Sequence, residues 1–173
     1  MNFALYGYGK GENRRWIVVD CGVTFPGDDL PGADLVLPDI SYIVERRDKL
    51  DGIVITHAHE DHVGAIGHLW GRLEAPVYCR KFTAIHAMRK IGEAGHAIEH
   101  VNVVDAYPAV VEVGPFKVQF APVSHSIPEA SALLIDTDAG RVVHSGDFKI
   151  DRTPVVGEAF DEAMWTEIAA EGV

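Results

Sequence analysis

This chain has few cysteines, no long hydrophobic run and no excess of basic residues. Its two cysteines, Cys21 and Cys79, lie far apart and form no CxxC pair, so neither a disulfide framework nor a thiolate zinc site is indicated. The simplest setting for such a chain is the reducing cytosol. No apolar run approaches the length of a bilayer span, and the N-terminal residues lack the basic start and apolar block of an export signal. We therefore expect a cytoplasmic protein that does not enter a membrane.

Acidic residues outnumber basic ones by 26 to 15, which gives a formal net charge of -11. This charge argues against a broad basic surface that binds phosphates. It does not exclude a nucleic-acid substrate, because metal cations would cancel part of the local negative charge. Hydrophobic residues make up 47% of the 173 residues, which is typical of one ordinary globular domain or of part of a larger one.

A cluster of histidines lies between an apolar run and a helical pattern. Residues 53–55 are typical of a buried strand, and Thr-His-Ala-His-Glu-Asp-His follows at 56–62. Alternate side chains of an extended segment share a face, so His57 and His59 should point the same way while Glu60 points away. Asp61 and His62 then open a helical pattern. Imidazole nitrogens and carboxylate oxygens are zinc ligands, and the stretch therefore predicts a metal site rather than a solvated, histidine-rich turn.

The helical pattern and the remaining elements indicate an α/β fold. One apolar stripe runs along the helix after the cluster: Val63, Ile66, Leu69, Trp70 and Leu73. Residues 3–8 and 15–20 are β-rich runs that predict a hairpin. A strand and a second helix follow the cluster, five short β-rich runs begin at residue 101, and a last helix is predicted over 160–170. Four histidines outside these strand ends are excluded from the site: His68, His86, His96 and His100.

Three further polar residues occur where predicted strands end. His125 and Asp147 each follow a strand of the β-rich second half and are candidate metal ligands. Asp20 ends an early strand and is a candidate for holding a ligand imidazole by a hydrogen bond, although an aspartate that simply initiates a turn is an equal alternative. His144, on the strand before Asp147, has a packing role or a functional one, and the sequence does not separate the two.

These residues can be grouped into two adjacent metal sites. The first offers three imidazoles and an open position for water: His57, His59 and His125. Asp61 and His62 begin the second, and Asp147 bridges both. Two cations about 3.5–4 Å apart can activate a shared hydroxide and stabilise the leaving oxygen of a phosphodiester or ester. The hydroxide would be the nucleophile, with Asp61 orienting it, so Asp61 and Asp147 are also the catalytic candidates.

The motifs resemble a known family. His-Ala-His-Glu-Asp-His at 57–62 matches the HxHxDH signature of the metallo-β-lactamase fold, and His125 and Asp147 match the next two ligand positions. The longer segments THAHEDHVGA, SHSIPE and HSGDFK, at 56–65, 124–129 and 144–149, resemble those of ribonuclease J, a β-CASP branch of that fold. The resemblance covers essentially the whole chain. It implies an αββα sandwich, two Zn²⁺ ions, and endonuclease and 5′-to-3′ exonuclease action on RNA during maturation and turnover.

The resemblance also implies what this chain lacks. Residues 1–173 are expected to form one metallo-β-lactamase-like domain that is truncated before the β-CASP insertion. The late histidine that completes the second zinc site in the family has no counterpart, so that site should be incomplete, and homo-oligomerisation belongs to the full-length family. Two alternatives stay open: a thioesterase or lactonase of the same fold, and an inactive fragment that only binds metal.

Overall fold

The computed structural model describes residues 1–28 and 30–172. The strands are β1 (Ala4–Tyr8), β2 (Arg15–Val19), β3 (Leu50–Ile55), β4 (Val77–Cys79), β5 (Val101–Val103), β6 (Val111–Val113), β7 (Phe116–Pro122), β8 (Ser131–Thr137) and β9 (Gly140–His144). The α-helices are α1 (Ser41–Val44), α2 (Glu60–Val63), α3 (Ile66–Leu73), α4 (Lys81–Glu93) and α5 (Glu162–Ala170). Short 3₁₀ turns occur at Gly11–Asn13, Arg47–Lys49 and Ile98–His100.

The strands form two sheets. The first has the order β1-β2-β3-β4-β5, and the second has the order β6-β7-β8-β9. β1 and β2 pair antiparallel, with Ala4 opposite Val19, so the predicted hairpin is confirmed. Pairing from β2 to β5 is parallel, whereas the second sheet is antiparallel throughout. Because parallel strands end at the same edge of a sheet, the residues that follow β2 and β3 lie side by side.

The structure has four layers, and successive apolar side chains of β2 point to the two layers on either side of it. Ile17 and Val19 of β2 face the second sheet, where they pack with Phe120. Val18, on the opposite face, packs with the helical layer that includes Ile66. Successive strand residues point to opposite faces, so a strand between two layers must be apolar at every position.

The outer face of the second sheet is covered by the C-terminal helix. Leu134 of β8 packs there with Ile168 of α5. The layers are therefore helices, sheet, sheet and helix, and the expected αββα sandwich is confirmed. Within the described residues, no helix combines the length and the apolar character that a membrane crossing requires.

The helix predicted after the histidine cluster is two helices in the structure. α2 ends at Val63 and α3 begins at Ile66, while the residues of the predicted stripe are all buried. The interruption follows from hydrogen bonds to the segment after β2. The amide of Ala65 donates to the carbonyl of Cys21, and the amide of Cys21 donates to the carbonyl of His62. Those groups are consequently not available for one continuous helical ladder.

Candidate metal centre

The predicted ligands converge at the edge where the parallel strands end. The segment after β3 carries His57 and His59, and α2 follows with Asp61 and His62. The second sheet contributes residues to the same place from the loops that follow β7 and β9. Both sheets of the sandwich therefore supply side chains to one cluster, and the first sheet does so at the ends of its parallel strands, where ligand sites are common.

Three imidazoles form the first group of the cluster. Nδ1 of His59 lies 3.1 Å from Nε2 of His57 and 3.1 Å from Nε2 of His125. Nitrogen ligands about 2.0–2.1 Å from a tetrahedral zinc ion lie about 3.3 Å from one another. Nδ1 of His59 carries either one hydrogen or one lone pair and so forms one good hydrogen bond, not two. A cation that accepts all three lone pairs suits this arrangement better than hydrogen bonding alone.

The environment favours the neutral form, which metal binding requires, at two imidazoles of the first group, His57 and His125. Burial, with smaller contributions from His62, His59 and His125, lowers the pKa of His57 to about 2. Burial is also the main cause that lowers the pKa of His125, although Asp147 opposes it. Neutral imidazoles keep a lone pair for a metal ion.

A second group adjoins the first. Nε2 of His62 lies 3.5 Å from Oδ2 of Asp61 and 3.5 Å from Oδ2 of Asp147. The same Asp147 oxygen is 3.8 Å from Nε2 of His125, so this carboxylate lies between the two groups. Ligating atoms of His57, His62 and Asp147 all fall within 4.8 Å of one another. The sequence had assigned His57 to the first group alone, whereas the structure places it beside both.

Asp20 lies behind the cluster as a fully buried carboxylate. Its Oδ2 accepts a hydrogen bond from Nδ1 of His62 at 2.7 Å, and its Oδ1 accepts one from the Thr56 amide at 2.8 Å. Its φ angle of 63° lies in the left-handed region, and no hydrogen-bonded turn begins at this residue. Burial lowers the pKa of His62, but the hydrogen bond to Asp20 and the surrounding carboxylates outweigh it and raise that pKa overall.

Two residues that contact the cluster are not among the site residues predicted from the sequence. The Thr56 hydroxyl lies 3.0 Å from Nδ1 of His57 and donates to Asp20. The Asn2 amide nitrogen lies 2.9 Å from Nε2 of His62. Since 60 positions separate Asn2 from His62, no local spacing could have connected them.

The residues excluded on sequence grounds lie apart from the cluster. Glu60 pairs with Lys90 at 2.8 Å, so it faces away as expected. His96 and His100 pack against Trp70. Within the part of the chain that the structure describes, His68, His86, His96 and His100 join neither ligand group.

His144 lies next to the cluster rather than inside it. Its Nδ1 is 2.9 Å from the Tyr6 hydroxyl, and its Nε2 is 3.9 Å from Oδ2 of Asp20. Burial is the main cause that lowers the pKa of His144. His144 therefore lies close to Asp20, which in turn holds His62, and it joins neither ligand group within the described residues.

The donor set of the cluster fits divalent cations. Imidazole nitrogens predominate in the first group, and carboxylate oxygens join them in the second.

The family model described as the beta-lactamase superfamily domain matches residues 15–166. The chain belongs to the beta-lactamase superfamily. This superfamily member carries its histidine cluster and its two strand-end ligand candidates within the matched range.

Sequence relatives confirm the resemblance to ribonuclease J. This superfamily member is 50% identical, over 100% of its length, to the ribonuclease J of Sinorhizobium meliloti. It is 41% identical, over 92% of its length, to that of Mycolicibacterium smegmatis. The chain spans only 31% and 28% of the length of these two relatives.

Solved structures support the fold alone. The metallo-beta-lactamase fold protein YhfI from Bacillus subtilis aligns with a TM-score of 0.54 at 21% identity, over 82% of this chain and 53% of that one. A protein of unknown function from Enterococcus faecalis V583 aligns with a TM-score of 0.54 at 19% identity, over 85% of this chain and 40% of that one.

Proposed function

We propose that this chain carries the metal centre of a ribonuclease that hydrolyses RNA phosphodiesters. The observation that supports the proposal is the convergence of the HxHxDH histidines with His125 and Asp147 in a chain 50% identical to a ribonuclease J. The proposal includes two Zn²⁺ ions, endonuclease and 5′-to-3′ exonuclease cleavage, RNA as the partner, and a cytoplasmic location.

In the proposed centre the two groups have different tasks. The first cation would be held by the three imidazoles of His57, His59 and His125. The second would be held by Asp61 and His62, with Asp147 shared between the two. Bound divalent cations supply Lewis acidity, which lowers the pKa of water and neutralises developing charge on phosphate oxygens.

The carboxylates at the open face take part in orientation and proton transfer. The side chains of Asp61 and Asp147 are each 46% exposed, so both reach the solvent from which a substrate arrives. Each can accept a hydrogen bond from a water molecule and hold it in line with the scissile phosphorus. His57 and His62 lie beneath them, nearly inaccessible to solvent, and serve to fix the geometry.

The cluster also resolves the conflict between an acidic chain and an anionic substrate. A formal net charge of -11 would repel RNA at long range. Divalent cations held in the centre would offset the negative charge locally, where the phosphate must bind. Productive binding of RNA should therefore depend on the loaded metals.

The test measures metal content and RNA cleavage on the same preparation. We expect one zinc ion per chain in the three-histidine group, a second ion in the incomplete group beside it when zinc is in excess, and cleavage of RNA. Asp61→Ala should reduce the cleavage rate by at least about 100-fold, because it removes both a ligand and the group that orients water. Asp138→Ala, in the exposed turn between β8 and β9, is the matched control and should leave the rate unchanged.

Other outcomes point to the alternatives. Hydrolysis of thioesters or lactones in place of RNA would contradict the proposal and identify another hydrolase of the same fold. Bound metal without turnover on any of these substrates would identify a metal-binding chain that lacks activity.

A further inference from the structure

The side chain of Asn2 lies among groups that suit a cation better than an amide nitrogen. Its Nδ2 is 3.1 Å from Oδ2 of Asp61, 3.2 Å from the Asp61 carbonyl oxygen and 2.9 Å from Nε2 of His62. All three neighbours are acceptors when His62 is neutral. An amide nitrogen has two hydrogens and cannot serve three acceptors equally well.

The tautomer of His62 follows from its other partner. Nδ1 lies 2.7 Å from the buried Oδ2 of Asp20, and a carboxylate can only accept, so Nδ1 carries the hydrogen. With the hydrogen on Nδ1, Nε2 is the nitrogen that can offer a lone pair toward Asn2 and the carboxylates. The carboxylate oxygen and the carbonyl oxygen of Asp61 and the Nε2 lone pair of His62 thus all face the position of the Asn2 amide nitrogen.

We propose that Asn2 is a ligand of the second cation through its side-chain carbonyl oxygen, Oδ1. A half-turn about the Cβ–Cγ bond exchanges Oδ1 and Nδ2, and the two orientations of an amide fit the same shape. Oδ1 would then lie 2.9 Å from Nε2 of His62 and 3.1 Å from Oδ2 of Asp61. Ligands of a six-coordinate cation at about 2.1 Å lie about 3 Å apart, which agrees with both distances.

The main chain holds Asn2 in place for this role. Its amide donates to the Asp61 carbonyl at 2.8 Å, and its own carbonyl accepts from the Gly22 amide at 3.0 Å. Neither bond involves the side chain, so the side chain can change while the backbone stays. Asn2 would add a neutral oxygen to a group that already has the carboxylates of Asp61 and Asp147.

The inference rests on the proposed metal centre and extends it by one ligand. One imidazole and three oxygens form a harder set than three imidazoles, and oxygen-rich sets suit Mn²⁺ and Mg²⁺. Mn²⁺ is therefore the appropriate probe of the second group after stoichiometric zinc has filled the first.

The experiment compares two variants of nearly the same shape. Mn²⁺ is titrated into the wild-type chain, Asn2→Leu and Asn2→Asp, each loaded with one equivalent of zinc. Free Mn²⁺ is followed by electron paramagnetic resonance. We expect Asn2→Leu, which has no ligand atom, to weaken Mn²⁺ binding at least tenfold. Asn2→Asp keeps an oxygen at the same place and should bind Mn²⁺ as tightly as the wild type or more tightly.

Two results would overturn the inference while leaving the metal centre intact. Wild-type affinity in Asn2→Leu would show that the side chain is not a ligand. Equal weakening in both variants would show that Asn2 acts as a hydrogen-bond donor to Asp61, since only the amide can donate. A wild-type chain that binds no second cation would instead overturn the proposed two-metal centre itself.

A second readout separates ligation from simple charge attraction in Asn2→Asp. The side-chain NH₂ signals of wild-type Asn2 are measured by nuclear magnetic resonance with diamagnetic Mg²⁺ in the second group. We expect these signals to shift when Mg²⁺ is added, because the N–H groups leave Asp61. Signals that do not move at saturating Mg²⁺ would overturn the inference.

Discussion

Asp20 is a single buried carboxylate that lies against the proposed metal centre. It accepts hydrogen bonds from both His62 and Thr56. We expect Asp20→Asn to weaken zinc binding about 10–100-fold, because one oxygen becomes an NH₂ group and one of the two donors loses its acceptor. Asparagine tolerates the left-handed backbone as aspartate does, so backbone strain stays the same. Competition with a zinc indicator measures the effect.

The control for Asp20→Asn is the same substitution at exposed Asp138, where no loss of affinity is expected. Unchanged zinc affinity in Asp20→Asn, with an intact circular dichroism spectrum, would contradict the supporting role of Asp20.

At the scale of elements, the segment after β2 packs directly against α2. A Cβ atom at Gly22 would lie 1.7 Å from the Asp61 carbonyl oxygen and 2.7 Å from the His62 amide nitrogen. Both atoms belong to the backbone of α2 and cannot move aside independently. We expect Gly22→Ala to destabilise the fold by about 2 kcal/mol or more, which lowers Tm by about 4–8 °C, and to displace Asp61 and His62.

Gly92→Ala in α4 is the matched control, measured by thermal unfolding on the same instrument. An added Cβ there meets only Ile98 Cγ2, at 3.4 Å. Alanine also favours a helix over glycine by about 0.5–1 kcal/mol, so its Tm should stay the same or rise. A Gly22→Ala variant that keeps wild-type Tm and zinc affinity would show that this close contact does not hold α2 in place.

At the scale of the whole molecule, a cation in the centre would connect the two sheets. His57 and His59 follow β3 of the first sheet, whereas His125 and Asp147 follow strands of the second. A ligand at 100 times its Kd stabilises the native state by about 2.7 kcal/mol. We therefore expect zinc to raise Tm by about 5–10 °C relative to chelator-treated protein, measured by calorimetry.

His125→Ala should remove most of this zinc-dependent rise, because it deletes a ligand that the second sheet contributes. His68→Ala is the matched control: His68 is exposed on α3 and should leave the rise intact. Equal zinc shifts in the two variants would contradict a cation held between the sheets.

Much of the fold was predictable because the spacing of apolar residues along the chain indicates which faces of a strand or helix are buried. Residues Ile17, Val18 and Val19 of β2 are apolar without a break, which is the pattern of a strand covered on both faces. The stripe from Val63 to Leu73 indicated a buried helical face. The break between α2 and α3 was not predictable, because the Cys21 carbonyl that accepts from Ala65 lies 44 positions away. Such a hydrogen bond exists only after β2 and β3 have paired.

The sequence by itself determined the candidate ligands and the fold class. HxHxDH combines strand and helix spacing with metal-binding side chains within six positions, and His125 and Asp147 each follow a predicted strand. Only the tertiary structure decided how the ligands group, with His57 beside both groups, and that Asn2 lies against His62. The physical reason is distance along the chain: local spacing fixes which side chains share a face, whereas the packing of two sheets fixes which faces meet.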